Sequence, residues 1–145
     1  MKKIVLIVLS AITFYSCHKD PKDPPPTCTT SMAGIAGDYK ITAATYKEST
    51  TSPEVDYMND LFPDPCQRDN LYTFKTDGSY QIADVGLVCS PPDNDNGTWS
   101  LVGTTNLQID GDPTILESFD CKLWIIANTD IIVTGDKLKL TLTKQ

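Results

Sequence analysis

From Gly37 onward, apolar and polar residues alternate in short runs, and turn-forming residues break the runs about every ten positions. Tyr39, Ile41 and Ala43 alternate with Lys40 and Thr42. The run 71–74 meets Asp77-Gly78 and resumes at 80–83. Asn96-Gly97 opens 98–102, and Gly103 breaks before Leu107 and Ile109. The run 123–127 meets Asn128-Thr129, and 131–133 meets Gly135-Asp136. Leu138, Leu140 and Leu142 then alternate with Lys139, Thr141 and Thr143, so one face is dry and the other wet. The pattern predicts an all-β chain: an antiparallel meander of about eight strands, forming a barrel or a sandwich.

One segment departs from period two. Ser52-Pro53-Glu54 has the form of a helix start, with a Ser cap, Pro in the first turn and an acid at the positive end. Val55, Met58 and Leu61 or Phe62 recur at helical spacing, and Pro63 and Pro65 end the run. A short helix is expected between the first and second strands. It either plugs one end of the fold or lies as a lid over a cavity, and a domain this small favours the plug.

The N-terminus carries an address. Lys2 and Lys3 precede a nearly unbroken apolar run, 4–14, which ends at Ser16-Cys17. That is the form of an export signal, and the run is too short for a stable membrane-spanning helix. Residues 1–16 read as a lipoprotein signal peptide, with Cys17 as the lipidated first residue of the exported chain. Residues 17–36 are charged and Pro-rich at their start and read as a stiff, solvated tether. Residues 37–145 form the expected domain. The expected location is the outer membrane, anchored by lipid on Cys17, at the periplasmic face or the cell surface.

Charge excludes some partners. The formal net charge is −7, and removing Lys2 and Lys3 with the signal makes the exported chain more acidic still. Scattered lysines on an acidic chain give no footprint for nucleic acid. Anionic lipid heads repel such a chain, so its only expected membrane contact is the N-terminal lipid.

Apart from Cys17 there are four cysteines, Cys28, Cys66, Cys89 and Cys121. An even number in a small exported domain predicts two disulfides. Zinc-type spacing is absent, and the one His, His18, lies in the tether. Register narrows the pairing. A three-residue loop 76–78, with Gly78 in the left-handed position, pairs Phe74 with Tyr80 and Tyr72 with Ile82 on one face. One bulged residue, Gly86, then brings Cys66 opposite Cys89 at the base of this hairpin. Cys28–Cys121 follows by elimination. A two-residue turn at Gly135-Asp136 pairs Val133 with Leu138 and Ile131 with Leu140. At Asn128-Thr129 two registers remain open: one turns Trp124 and Ile126 inward, the other Leu123 and Ile125.

Catalytic chemistry is hard to assemble. Without His in the domain, Ser-His and Cys-His arrangements are excluded, and the cysteines are expected to be bridged. Asp77, Asp110, Asp112 and Asp136 fall in turns, where solvated Asp is ordinary. Asp93-Asn94-Asp95-Asn96-Gly97 puts Gly at position five rather than six, which breaks the calcium-loop register. No enzyme activity, metal or cofactor is assigned.

Cys66-Gln67-Arg68-Asp69-Asn70-Leu71-Tyr72-Thr73-Phe74, then Asp77-Gly78-Ser79-Tyr80, then Gly97-Thr98-Trp99-Ser100-Leu101, resemble the lipocalin-like domain of small Gram-negative lipoproteins. That family shows Cys-x-x-Asp-Asp before an apolar strand, an Asp-Gly turn and a Gly-Thr-Trp strand. Tyr39 stands where the family has Trp, and Asn70 stands in place of its second Asp. The resemblance spans about residues 34–143 and implies a lipocalin-like barrel; it transfers no ligand-binding residues.

The aromatic content of the strands points to a binding module for a small, partly apolar molecule. Tyr39, Ile41, Phe74, Tyr80 and Trp99 are the expected lining, with Met58 and Phe62 at the opening. The alternative is an envelope accessory protein that binds a protein or glycan through its outer surface. That reading expects a packed core and an exposed apolar patch, with Ile132 or Trp124 pointing outward.

Overall fold

The computed structural model describes residues 28–145. The expected signal peptide, Cys17 and most of the expected tether lie outside them. The described chain runs α1 (Met32–Ile35), β1 (Gly37–Lys47), β2 (Val55–Asp56), α2 (Met58–Leu61), a 3₁₀ helix (Pro65–Arg68), β3 (Leu71–Phe74), β4 (Ser79–Ala83), β5 (Asp95–Val102), β6 (Asn106–Ile109), β7 (Asp112–Phe119), β8 (Leu123–Thr129) and β9 (Lys137–Lys144). Each strand pairs antiparallel with its neighbour, and β9 returns to pair with β1. Eight strands thus close a barrel, and two-residue β2 adds to one edge of β1.

The β3–β4 hairpin has the expected register, with Phe74 opposite Tyr80 and Tyr72 opposite Ile82. Gly78 takes φ +86°, the left-handed conformation this loop requires. Trp124 and Ile126 point inward and are buried. This settles the open orientation and corrects the outward alternative for Trp124. In β1 a bulge between Ile41 and Ala43 moves the inward set on by one, so Ala44 is buried.

Four expectations need correction. Residues 131–133 are not a strand. They belong to a loop between β8 and β9, whose ladder ends at Thr129 opposite Lys137. The Asp136 carboxylate claims the N–H groups of Ile131, Ile132 and Val133, so none is free for a ladder. Asn96-Gly97 does not turn either, but lies within β5, where Gly97 pairs with Tyr80. The strand missed from the alternation is β7, which buries Thr114 and Leu116 and carries Pro113 at its second position, beside the β6–β7 turn. The helix between the first two strands is shorter and later than expected. Val55 and Asp56 pair with β1 instead, and the Asp56 carboxylate, not Ser52, accepts the Met58 N–H.

The folded body also extends before Gly37. Ile35 is fully buried, and its carbonyl accepts the Tyr39 hydroxyl. The register places α1 at the same end of the barrel as the β3–β4 turn and the β7–β8 turn. Two disulfides join Cys28 to Cys121 and Cys66 to Cys89. The first ties the segment before α1 to the β7–β8 turn. The second links the 3₁₀ helix to the loop after β4. Gly86 lies in that loop with φ +68° rather than in a ladder bulge.

Candidate functional site

Inward side chains from both halves of the barrel meet in an aromatic cluster. Phe74 stands edge-on to Trp124, with ring centres 4.6 Å apart, and also meets Tyr39, Tyr80 and Trp99. The Trp99 indole donates to the Lys75 carbonyl at 2.9 Å. Tyr39, Trp99 and Trp124 are buried and fill the α1 end of the barrel.

Toward the α2 end the packing leaves a cavity of about 200 Å³. Ile41, Phe74 and Leu142 line its inner part, with Ile126. Tyr72, Tyr80, Ile82, Ile109 and Leu140 complete the wall. The cavity sits where the wall is split. Strand β3 pairs with β1 only through Gly37–Tyr39. Beyond that point β1 continues along β9, and its free edge is met by β2 and by the Tyr57 N–H on the Ala44 carbonyl. The α2 segment therefore patches the seam, and Met58 and Phe62 pack half-buried against the core.

Of the seven residues expected at the site, Ile41, Phe74 and Tyr80 reach the cavity. Tyr39 and Trp99 are buried in the aromatic cluster beside it, and Met58 and Phe62 lie on the covering segment. Tyr72 and Ile82 escaped the sequence reading as lining, although their pairing on the Phe74–Tyr80 face was the available signal. Leu140 and Leu142 were recognisable as a dry face, but which void they bordered was not.

The wall is electrically neutral. Burial, with a smaller contribution from the Asp93 charge, pushes the Tyr72 phenol up to about 12. Burial first, then the hydrogen bond to Asp110, holds the Tyr80 phenol well above its ordinary value. The Tyr80 hydroxyl donates to the Asp110 carboxylate, and Asp110 also accepts the Thr98 N–H. Tyr72 makes no side-chain hydrogen bond among the described residues. A cavity with an un-ionised, almost wholly apolar wall suits an apolar body.

Other hollows differ in character. One surrounds the Cys66–Cys89 bridge and another lies on the outer face between Val102 and Asp130; both are open and partly polar. Among the described residues, no three His, Cys, Asp or Glu side chains converge as a metal site. No described helix is long and apolar enough to cross a membrane. The two disulfides mark an extracytoplasmic, oxidising compartment.

The family model for the lipocalin-like domain matches residues 35–140 of this chain. No curated protein matches it.

Proposed function

The chain belongs to the lipocalin-like domain family, and from that premise we propose that it is an envelope lipoprotein, lipid-anchored through Cys17, whose barrel binds a small, partly apolar molecule without catalysing its conversion. The family and the closed barrel fit a binding module. What carries the reading is the apolar cavity at the α2 end. Size bounds the ligand. An engineered apolar cavity of about 150 Å³ takes up benzene, and drug-sized ligands need about 300 Å³ or more. A volume of about 200 Å³ therefore fits a molecule of one substituted ring.

Residues 1–17 support export and lipidation through their basic start, apolar run and terminal Cys. Labelling with a radioactive fatty acid tests this: the wild type is labelled and Cys17→Ala is not. Ligand binding is tested by NMR titration of the exported domain with indole and p-cresol. Saturable shifts confined to the methyls of Ile82, Ile109 and Ile126 are the expected result. Shifts absent, or spread over the surface without saturation, overturn the reading.

One observation favours the outer-surface alternative. Ile131, Ile132 and Val133 are all exposed on the β8–β9 loop, and Ile132 is 57% exposed. Three adjacent exposed apolar residues form a contact point for a protein partner. Crosslinking from a photoreactive residue at position 132 in intact cells would capture a discrete partner if this surface works.

A further inference from the structure

Among the side chains that line the cavity, only Tyr80 makes a hydrogen bond within the described residues. The residue is buried, 8% exposed, yet its hydroxyl reaches the exposed β6–β7 turn and donates to Asp110 Oδ2. Ile82, on the same face of β4, and Ile109, next to Asp110, also line the cavity. The span from Tyr80 to Asp110 therefore runs along the cavity wall. It crosses β5 at Gly97, the residue paired with Tyr80. A Cβ on Gly97 would stand 2.6 Å from the Tyr80 ring, so the missing side chain makes room for the crossing.

The turn supplies the other end of the span. Asp110 and Gly111 are the two residues between the pair Ile109 and Asp112, and both have positive φ, +54° and +89°. A tight hairpin turn of this kind favours Asn, Asp or Gly followed by Gly. The Asp110 side chain does more than suit the turn. Its Oδ1 accepts the Thr98 N–H at 2.8 Å, while Oδ2 accepts the Tyr80 hydroxyl. The first bond fixes the carboxylate against β5, and the second passes that fixity to the ring.

The ring needs such a hold. Phe74 packs against it, with ring centres 5.7 Å apart and the planes tilted by 32°. The cavity also borders it. Close packing normally keeps a side chain in one rotamer, and a ring beside empty space lacks part of that packing. The bond to Asp110 replaces it.

We propose, resting on the binding role given to the barrel, that Asp110 is a positioning residue: it holds Tyr80 as a rigid wall and so restricts the ligand to a compound with a single aromatic ring. A fixed wall rejects a larger guest by collision, whereas a free ring moves aside for it.

The disulfide-bonded exported domain is titrated by NMR with p-cresol and with p-phenylphenol, in which a second ring replaces the cresol methyl. The wild type should prefer p-cresol by about tenfold or more, and Tyr80→Phe and Asp110→Gly should each cut that preference by about fivefold or more. Tyr80→Phe keeps the ring, and Gly-Gly suits the turn. Thr73→Val, which loses an outer-face hydrogen bond to Asp38, should keep the wild-type preference. A protected Tyr80 hydroxyl proton should be visible in the wild type and lost in Asp110→Gly. Should Asp110→Gly fail to fold, Tyr80→Phe decides the matter. If neither compound binds the wild type, the binding role falls and this assignment falls with it. A wild type that binds without preference, or a preference kept in either folded variant, overturns the assignment alone.

Discussion

The Tyr46 hydroxyl donates to Asp136 Oδ2 at 2.9 Å, joining the far end of β1 to the loop between β8 and β9. The same carboxylate accepts three consecutive backbone N–H groups, from Ile131, Ile132 and Val133. Asp136 is 1% exposed. One buried carboxylate thus organises a loop that holds three apolar side chains out in solvent.

This arrangement has a pH signature. Burial by itself raises the Asp136 pKa, but the Val133, Ile132 and Ile131 N–H groups and the Tyr46 hydroxyl outweigh it and bring the carboxyl down to about 2 from an ordinary 3.8. A depressed folded-state value means that ionised Asp136 stabilises the fold above about pH 4. The contribution is lost as the pH falls from there through about 2. Thermal unfolding across this range should show a step in the wild type. Asp136→Asn should be destabilised at neutral pH and lack the step, because its amide sets an N–H against N–H donors. Parallel pH curves for the two proteins would refute the role.

The two disulfides should differ in worth. The Cys28–Cys121 bridge spans 93 residues and Cys66–Cys89 spans 23. On a chain-entropy account the long loop contributes about 4–5 kcal/mol and the short one about 3 kcal/mol. Urea unfolding of Cys28→Ser/Cys121→Ser should therefore show the larger loss. The loops are nested, so each bridge shortens the loop that the other closes, and removing both should cost slightly more than the two single losses combined. The opposite ranking would mean that native packing, not loop closure, sets the difference.

Gly97 is expected to resist substitution although it lies within a strand. A Cβ there would run into the Asp110 carboxylate and the Tyr80 ring. Gly97→Ala should cost about 1–3 kcal/mol, as overpacking does. A double-mutant cycle identifies the cause. Tyr80→Phe should cost less in the Gly97→Ala background than in the wild type, because the Tyr80–Asp110 hydrogen bond is already displaced. Additive losses would place the strain elsewhere.

Much of this fold is legible in local patterns. Leu138, Leu140 and Leu142 alternate cleanly because one face of β9 is dry, and Asp77-Gly78 marks its hairpin because Gly78 must be left-handed. The register from that hairpin also leads toward Cys66 and Cys89. Other features depend on side chains distant in sequence. Residues 131–133 have strand composition, yet Asp136 takes their N–H groups. Asn96-Gly97 has turn chemistry, yet Gly97 is small to admit Tyr80 and Asp110. The cavity is the least legible of all. Alternation says which face Ile82, Ile109 and Leu140 occupy, but the space left between them depends on how Phe74, Trp124 and Tyr39 stack.

Filling the cavity should separate binding from stability. Ile109 lies on its wall and is only partly buried, so Ile109→Phe can add ring volume without crossing the packed aromatic cluster. Overpacking of a tight core costs about 1–3 kcal/mol, but here the added atoms enter existing space and contribute burial of about 25 cal/mol per Å². Ile109→Phe should therefore unfold at or above the wild-type temperature while losing about tenfold or more in affinity for p-cresol or indole. Ile126→Ala provides the converse. It enlarges the same space, should cost about 2–5 kcal/mol by the usual large-to-small penalty, and should regain part of that loss when an aromatic ligand is added. A variant at Ile109 that loses stability yet keeps ligand affinity would place the binding site outside the barrel interior.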